Sequence, residues 1–263
     1  MSAIKDNWDN GDPYEYFMGR WSTLMAREFL VWLNAPLHTN WLDVGCGTGA
    51  LSKAIEQNCS PQNLTCLDPS SVFIEKAKER ISMKAAFTVG SVENMPFENE
   101  NFDIVVSGLA LNFFPKTETA LAEIKRVLKP GGVVGAYVWD YSGRMDFLRH
   151  FWDAAYQIDP KSKTIDEGIR FPICSSNNLI HAFQKAGFAE IESSYLCIDT
   201  LFINFEDYWN PFLGGQGPAP GYLLSLSKEL QEDIKNNIQE RLNCEPDGSI
   251  KLLGRAIAIK GKL

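Results

Sequence analysis

Histidine is scarce in this chain: three in 263 residues (His38, His150 and His181), with no two at the spacing of one helical turn. That thins out the commonest metal ligand, and no metal is expected. The six cysteines (46, 59, 66, 174, 197 and 244) are scattered without a CxxC pair. Neither a zinc ribbon nor a disulfide framework is implied, and they read as reduced thiols of a cytoplasmic protein. No apolar run nears the ~18–20 residues a membrane span requires. The opening "MSAIKDNWDNGDPYEY" is polar and acidic, without the apolar stretch of a secretory signal. Positive charge is short as well: the formal net charge is −8 and no dense basic run occurs. Binding along a phosphate backbone is thereby disfavoured, so no nucleic-acid partner is expected.

What is present is the composition of an ordinary globular protein, 45% apolar and 22% charged. From about residue 40 to 140, short apolar runs alternate with amphipathic segments. "NWLDVG", "NLTCLD", "AAFTVG", "FDIVVSGLAL" and "VVGAYVW" read as five strands. Between them, "GALSKAIEQ" opens a helix and "SVFIEKAKERI" carries apolar residues at 74, 77 and 81. "TETALAEIKRVL" puts Ala120, Leu121, Ile124, Val127 and Leu128 on one stripe, stopped by "KPGG". Strands alternating with helices imply right-handed crossovers and a doubly wound α/β sheet.

The flanks are less regular. Residues 14–33 read as a helix with Tyr14, Phe17, Met18, Trp21, Leu24, Met25 and Trp32 near one face. Residues 141–175 show no strand pattern and read as a helical insertion. "NNLIHAFQKAG" is a further helix, followed by strand-like "FAEIESSYLCI". Residues 201–222 are aromatic and then rich in glycine and proline. A long helix with Leu226, Leu230, Ile234 and Ile238 follows, and "SIKLLGRAIAIKGKL" closes the chain as an alternating strand. Nothing divides the chain, so residues 1–263 are expected to form a single domain.

The densest signal is "NWLDVGCGTGALSKAI", residues 40–55. Three glycines in five positions, between a strand and a helix, suit a sharp turn and close approach by a ligand, and the helix N-terminus offers unpaired N–H groups. Such a loop in an open α/β sheet suits a nucleotide-type cofactor. "GCGTGA" matches the GxGxxA dinucleotide fingerprint, with Asp68 placed to grip a ribose. Against that reading, the third glycine follows the second by two residues rather than three. Asp43 is also anionic at the loop mouth, which suits a cofactor amine better than a pyrophosphate. An NAD(P)-dependent oxidoreductase and a non-catalytic cofactor-binding protein are the alternatives from other classes.

"LDVGCGTG" resembles motif I of the class I S-adenosylmethionine-dependent methyltransferases. "LDPS" (67–70), "GSVENMPFENENFDIVVSGLALNFF" (90–114) and "EIKRVLKPGG" (123–132) resemble the family's later motifs in their expected order. The resemblance covers about residues 40–140. "YEYFMGRWS" and "FLGGQGPAPGY" resemble a bacterial small-molecule branch. It implies a Rossmann-like seven-stranded sheet whose last strand is antiparallel, with lid and acceptor-pocket segments at 1–39, 141–175 and 201–222. S-adenosyl-L-methionine is the implied cofactor. Gly45 and Gly47 would let the backbone approach its methionine half, and Gly49 would permit the turn. Asp43 would orient the amino group, and Asp68 would accept the ribose hydroxyls. Pro69 and Val72 could pack against the adenine face, and Ser91, Val92 and Glu93 would recognise its edge. Ser91 stands where the family commonly has aspartate. Ser107 to Leu109 would border the sulfonium, and Arg20 would meet the cofactor carboxylate with its guanidinium fork.

No triad is evident, as expected where a sulfonium already activates the methyl and transfer needs alignment and exclusion of water. Asn112 stands where a histidine is frequent and is not taken as catalytic. His150, Asp140 and Tyr141 could reach an acceptor pocket, but no catalytic residue is assigned. His150 and His181 read as packing residues on apolar faces. Aromatic clusters (Trp8, Phe17, Trp21, Trp152, Tyr208, Trp209, Phe212) are candidate pocket walls. With the acidic charge, they favour a small, partly apolar organic acceptor, handled by a monomer or homodimer.

Overall fold

The computed structural model describes residues 18–263 apart from 83 and 216. The expectations for Trp8, Tyr14 and Phe17 lie outside the described residues. In chain order the elements are α1 (Arg20–Leu33), β1 (Asn40–Val44), α2 (Ala50–Asn58), β2 (Asn63–Asp68), α3 (Ser71–Arg80), β3 (Ala86–Val89), β4 (Phe102–Gly108), α4 (Thr117–Val127), β5 (Leu128–Trp139), α5 (Asp146–Ile158), α6 (Glu167–Arg170), α7 (Ser176–Ala186), β6 (Ala189–Phe202), α8 (Phe205–Trp209), α9 (Pro218–Ser225), α10 (Lys228–Arg241) and β7 (Ile250–Lys262). The seven strands form one sheet in the order β3-β2-β1-β4-β5-β7-β6. β1 to β5 pair in parallel, and β7 runs antiparallel to β5, from Val133 opposite Lys262 to Trp139 opposite Ala256. This is the doubly wound α/β sheet with an antiparallel last strand.

The chain divides into two compact units. The larger holds Ser22–Trp139, Ile173–Leu196 and Ala256–Leu263. Its parallel strands are near-continuous apolar runs because helices cover both faces. Trp41, Leu42 and Val44 of β1, and Ile104, Val105 and Val106 of β4, are buried. α4 buries Ala120, Leu121, Ile124 and Val127, the stripe read from sequence. Leu128 departs from that stripe: it pairs with Phe102 and opens β5. In α1, Leu24 is exposed, and the half-buried Trp32 ring lies 4.8 Å beneath the Lys260 ammonium rather than in the core.

The smaller unit holds Asp140–Pro172 and Cys197–Arg255, with the described chain up to Trp21. Its core is aromatic. Phe151 stacks on Phe212 at 4.7 Å, Phe147 lies 4.7 Å from Phe212, and the Tyr208 hydroxyl donates to the Phe147 carbonyl at 2.9 Å. Arg149 and the buried Asp166 pair at 2.7 Å, and Asp166 also accepts from the Tyr156 phenol. Residues 141–175, read as a helical insertion, hold α5, a 3-10 helix at Pro160–Thr164 and α6 joined by turns, with a single bridge between Met145 and Gly254. α10 begins after Leu226 because the Ser227 hydroxyl accepts the Leu230 N–H and caps it. Its buried stripe is consequently Gln231, Ile234 and Ile238. No helix among the described residues is long and apolar enough to cross a membrane.

Candidate functional site

Strand order reverses between β1 and β4, with β2 and β3 to one side and β5 to the other. Connections leaving β1 and β4 therefore diverge, opening a crevice at the strands' carboxyl ends within the larger unit. The glycine loop lies there. Gly45 and Cys46 both donate to the Leu67 carbonyl, at 2.8 and 3.1 Å, so the loop is pinned over the end of β2. Gly45 has φ +70°, and a Cβ on it would fall 2.6 Å from the Cβ of Ala110 and 3.5 Å from the Phe114 ring. The absent side chain is what lets the segment after β4 press against the loop. Gly47 has φ +54° and nothing within 4 Å of its would-be Cβ, so this backbone faces open space. Gly49 caps α2 in the left-handed region, 3.2 Å from Ala77 of α3.

Two carboxylates frame the loop. Asp43 is fully buried and accepts one hydrogen bond, from the Ser52 hydroxyl at 2.5 Å to Oδ2. Its Oδ1 is buried with no partner. Burial, reinforced by the nearby charge of Asp68, pushes its pKa from 3.8 up to about 7, against the lowering effect of the Ser52 bond. Asp68, also buried, accepts the Gly47 N–H on one oxygen and the Ser70 N–H on the other, both at 2.9 Å. Burial raises its pKa, and those two backbone bonds hold it back. Asp68 does not cap α3: Ser70 is the cap, its hydroxyl accepting the Phe73 N–H. Asp68 instead braces the glycine loop to the start of α3. The Cys46 thiol is held well above its usual value by a hydrogen bond with Cys66, by burial and by Asp43, so it stays neutral.

The adenine-side candidates follow β3. Gly90 donates to the Asp68 carbonyl at 3.1 Å, which brings the segment back to the end of β2. Ser91 is exposed and its hydroxyl accepts the Glu93 N–H at 3.2 Å. Val92 is buried, Pro69 exposed, and Glu93 has a buried Oε1 without a partner. The segment is tied down from behind: Arg126, paired with Glu123 at 2.7 Å, donates to the Met95 and Phe97 carbonyls. At the end of β4, Ser107 is buried with its hydroxyl unpartnered. Leu109 sits at φ +58°, its N–H bound to the Tyr137 carbonyl at 2.8 Å. A non-glycine residue held there stores strain of about 1–2 kcal/mol, a feature that concentrates at functional sites.

Asp43, Gly45, Gly47, Gly49, Asp68, Pro69, Ser91, Val92, Glu93, Ser107 and Leu109 thus all belong to the strand ends of one unit. Arg20 does not. It lies in the smaller unit, where the fork expected to meet a cofactor carboxylate meets that of Asp207, at 3.0 and 3.2 Å, over the Trp21 and Phe202 rings. Asp140 is salt-bridged to Arg255 at 2.5 Å and organises its own turn. Half-buried His150 has its pKa lowered by burial, and His181 lies exposed on α7 rather than on an apolar face. Trp21, Trp152, Tyr208, Trp209 and Phe212 are buried side chains of the aromatic core, not open walls. Sequence reading missed Ser52, the partner of Asp43. Its signal was a small polar residue between Leu51 and Ile55 on the inward face of α2. Among the described residues, no group of three or more His, Cys, Asp and Glu is arranged to hold a metal.

A cationic amine fits this site. Asp43 Oδ1 is a buried acceptor lacking a donor, and the Gly47 backbone beside it is open. Residues 42–135 match the methyltransferase domain family. A demethylmenaquinone methyltransferase of Leptospira interrogans is 34% identical over 141 residues, 51% of this chain and 56% of that protein. A sterol 24-C-methyltransferase of Schizosaccharomyces pombe is 32% identical over 188 residues, 68% of this chain and 45% of that protein. The chain spans about half the length of these curated relatives. An S-adenosylmethionine-dependent methyltransferase structure from Thermotoga maritima shares the fold, with a TM-score of 0.55 at 19% identity over 97% of this chain and 95% of that one.

Proposed function

We propose that this chain, a member of the class I S-adenosylmethionine-dependent methyltransferases through residues 42–135, moves a methyl group from that cofactor to a small, partly apolar organic acceptor. The observation that carries the reading is Asp43: a buried carboxylate with one oxygen unpartnered, beside a loop whose glycine backbone is open. Asp43 would hold the cofactor amine, and Gly45 and Gly47 would let the backbone approach. Asp68, while bracing the loop, still has lone pairs for the ribose hydroxyls. Ser91 already commits its hydroxyl to the Glu93 N–H, so we assign the adenine amine to Glu93, whose Oε1 lacks a donor, with Val92 and Pro69 on the ring faces. Ser107 and Leu109 would border the reacting methyl.

When bound, the cofactor supplies a methyl on a positively charged sulfur, which an acceptor lone pair can take in line. The chain's task is then alignment and exclusion of water, which needs no catalytic triad. The relatives are named for a demethylmenaquinone and for a sterol, both largely apolar, and we extend that acceptor class to this chain. We take the chain to serve as one methyltransferase domain acting in the cytoplasm.

Calorimetric titration of the purified, nucleotide-free chain with S-adenosylmethionine, S-adenosylhomocysteine, NAD and NADP tests the reading. Micromolar binding of the adenosyl compounds alone is expected. Binding of a dinucleotide instead, or of none of the four, would overturn it.

A further inference from the structure

Ser52 is a polar side chain on an apolar face. It stands third in α2, among the buried Leu51, Ala54 and Ile55, and is itself fully buried. A hydroxyl taken out of water needs replacement hydrogen bonds, and Ser52 has two neighbours that supply them. Its Oγ lies 2.5 Å from Asp43 Oδ2 and 3.2 Å from the Cys66 sulfur of β2. A hydroxyl carries one proton, and a carboxylate can only accept, so the Ser52 proton goes to Asp43. The contact with Cys66 then runs the other way, from the thiol S–H to Oγ. Donation therefore passes from Cys66 to Ser52 to Asp43, and it ends on the oxygen beside the unpartnered Oδ1. The start of α2 adds to the effect. Its cap is Gly49, which has no side chain to accept the first-turn N–H groups. The Ser52 backbone N–H belongs to that turn, and it favours ionised Asp43 as the hydroxyl does. Of the other groups around Asp43, Asp68 at the end of β2 opposes its ionisation, and the Cys46 thiol stays neutral.

We propose that Ser52, backed by Cys66, is a positioning residue for the cofactor amine: by holding Asp43 Oδ2 it leaves Oδ1 to the ammonium and keeps the carboxyl in the charged form that the ammonium requires. This rests on the methyl-transfer reading above. Ser52 acts through Asp43 alone, so its contribution depends on the protonation of that one group. Without the hydroxyl, the charged carboxylate loses its side-chain donor, while the neutral acid loses less. Binding an ammonium at low pH must then remove a proton that is held more tightly. The penalty grows as pH falls and fades as pH rises to where Asp43 is ionised with or without Ser52.

The test titrates S-adenosylhomocysteine, which carries the amine without the sulfonium, into wild type, Ser52→Ala, Ser52→Thr and Cys66→Ala as full chains. Calorimetric affinity is read at pH 6 and pH 8, with a urea unfolding midpoint for each protein at both. The measured quantity is the ratio of the two affinities, from which any loss common to both pH values cancels. Ser52→Ala should widen the wild-type ratio about fivefold, by weakening binding at pH 6 far more than at pH 8. Cys66→Ala should widen it by a smaller factor, about twofold, because it weakens Ser52 as a donor without removing it. Ser52→Thr keeps the hydroxyl and should hold the wild-type ratio. A serine that merely packs would give Ser52→Ala the wild-type ratio, whatever its stability, and that result overturns the proposal. A Cys66→Ala ratio equal to or below that of wild type overturns the order of donation. In either case wild type that binds the ligand leaves the methyl-transfer reading standing, and wild type that does not bind it at either pH sinks both.

Discussion

Replacing Asp43 by asparagine is the most informative single change, because the structure fixes both its sign and its size. The carboxyl is fully buried, takes one hydrogen bond from Ser52 and has its pKa raised from 3.8 to about 7 by burial and by Asp68. A rise of that size corresponds to ~4 kcal/mol of preference for the neutral form in the folded chain. Between those two values the folded chain keeps a proton that the unfolded chain has released. Stability therefore falls as pH rises through the window and stops falling above about 7. From about pH 5 to about pH 8 this amounts to ~2–3 kcal/mol, a loss that the asparagine variant escapes because a carboxamide does not titrate. Urea unfolding of both proteins at the two pH values measures it, and the wild-type loss should exceed that of Asp43→Asn by that amount. Asp68, also raised, retains a slope of the same direction in both proteins. Binding supplies a second arm. A cofactor ammonium meeting Asp43 would hold it ionised, so binding near pH 6 should release a proton in wild type and none in the variant. Calorimetry in two buffers of different ionisation enthalpy reads that proton. Equal pH dependence of stability within ~0.5 kcal/mol, or no proton release, would refute the reasoning.

Two further changes separate bracing from binding. Asp68→Ala removes the acceptors of the Gly47 and Ser70 N–H groups, so unfolding free energy should drop by about 1–3 kcal/mol and S-adenosylmethionine affinity by tenfold or more. A variant as stable as wild type would show that the brace does not matter. Gly45→Ala combines a left-handed backbone with a Cβ 2.6 Å from Ala110, so urea unfolding should show a cost of about 2–4 kcal/mol. Gly47→Ala meets no atom within 4 Å, so it should cost only ~1 kcal/mol of stability while weakening cofactor binding more than stability. Equal destabilisation by the two alanines would contradict this division.

The sheet was legible because its strands are short apolar runs at even spacing, and because three glycines between a strand and a helix leave few alternatives. Asp43 and Asp68 could be placed at strand ends from the same pattern. Their partners could not. Ser52 pairs with Asp43 only once α2 has packed on the sheet, and Arg20 finds Asp207 across 187 residues of chain. The aromatic clusters were ambiguous for a different reason: an apolar ring looks the same in sequence whether it lines a pocket or fills a core. Phe151 and Phe212 stack together in the core of the smaller unit, and nothing in local spacing distinguishes that from a binding wall. Leu226 and Leu128 missed their stripes because single residues next to them, the Ser227 cap and the pairing of Leu128 with Phe102, decide where each element starts.

Apart from the Trp41 indole, the larger unit concentrates its unsatisfied polar atoms rather than spreading them. Asp43 Oδ1, Ser107 Oγ and both Asn112 amide atoms are buried and unpartnered on the carboxyl side of β1 and β4, and Glu93 Oε1 lies just past β3. Random imperfection would scatter such atoms through the fold, since each costs stability wherever it occurs. Gathered around one glycine loop, beside the left-handed Leu109, they are a debt that a ligand carrying a cation and hydroxyl groups can offset. The free chain is accordingly less stable than its packing alone would make it, and the same groups that lower its stability gain most from binding. Neutral replacement at Asp43 should therefore stabilise the free chain at neutral pH while costing it ligand affinity.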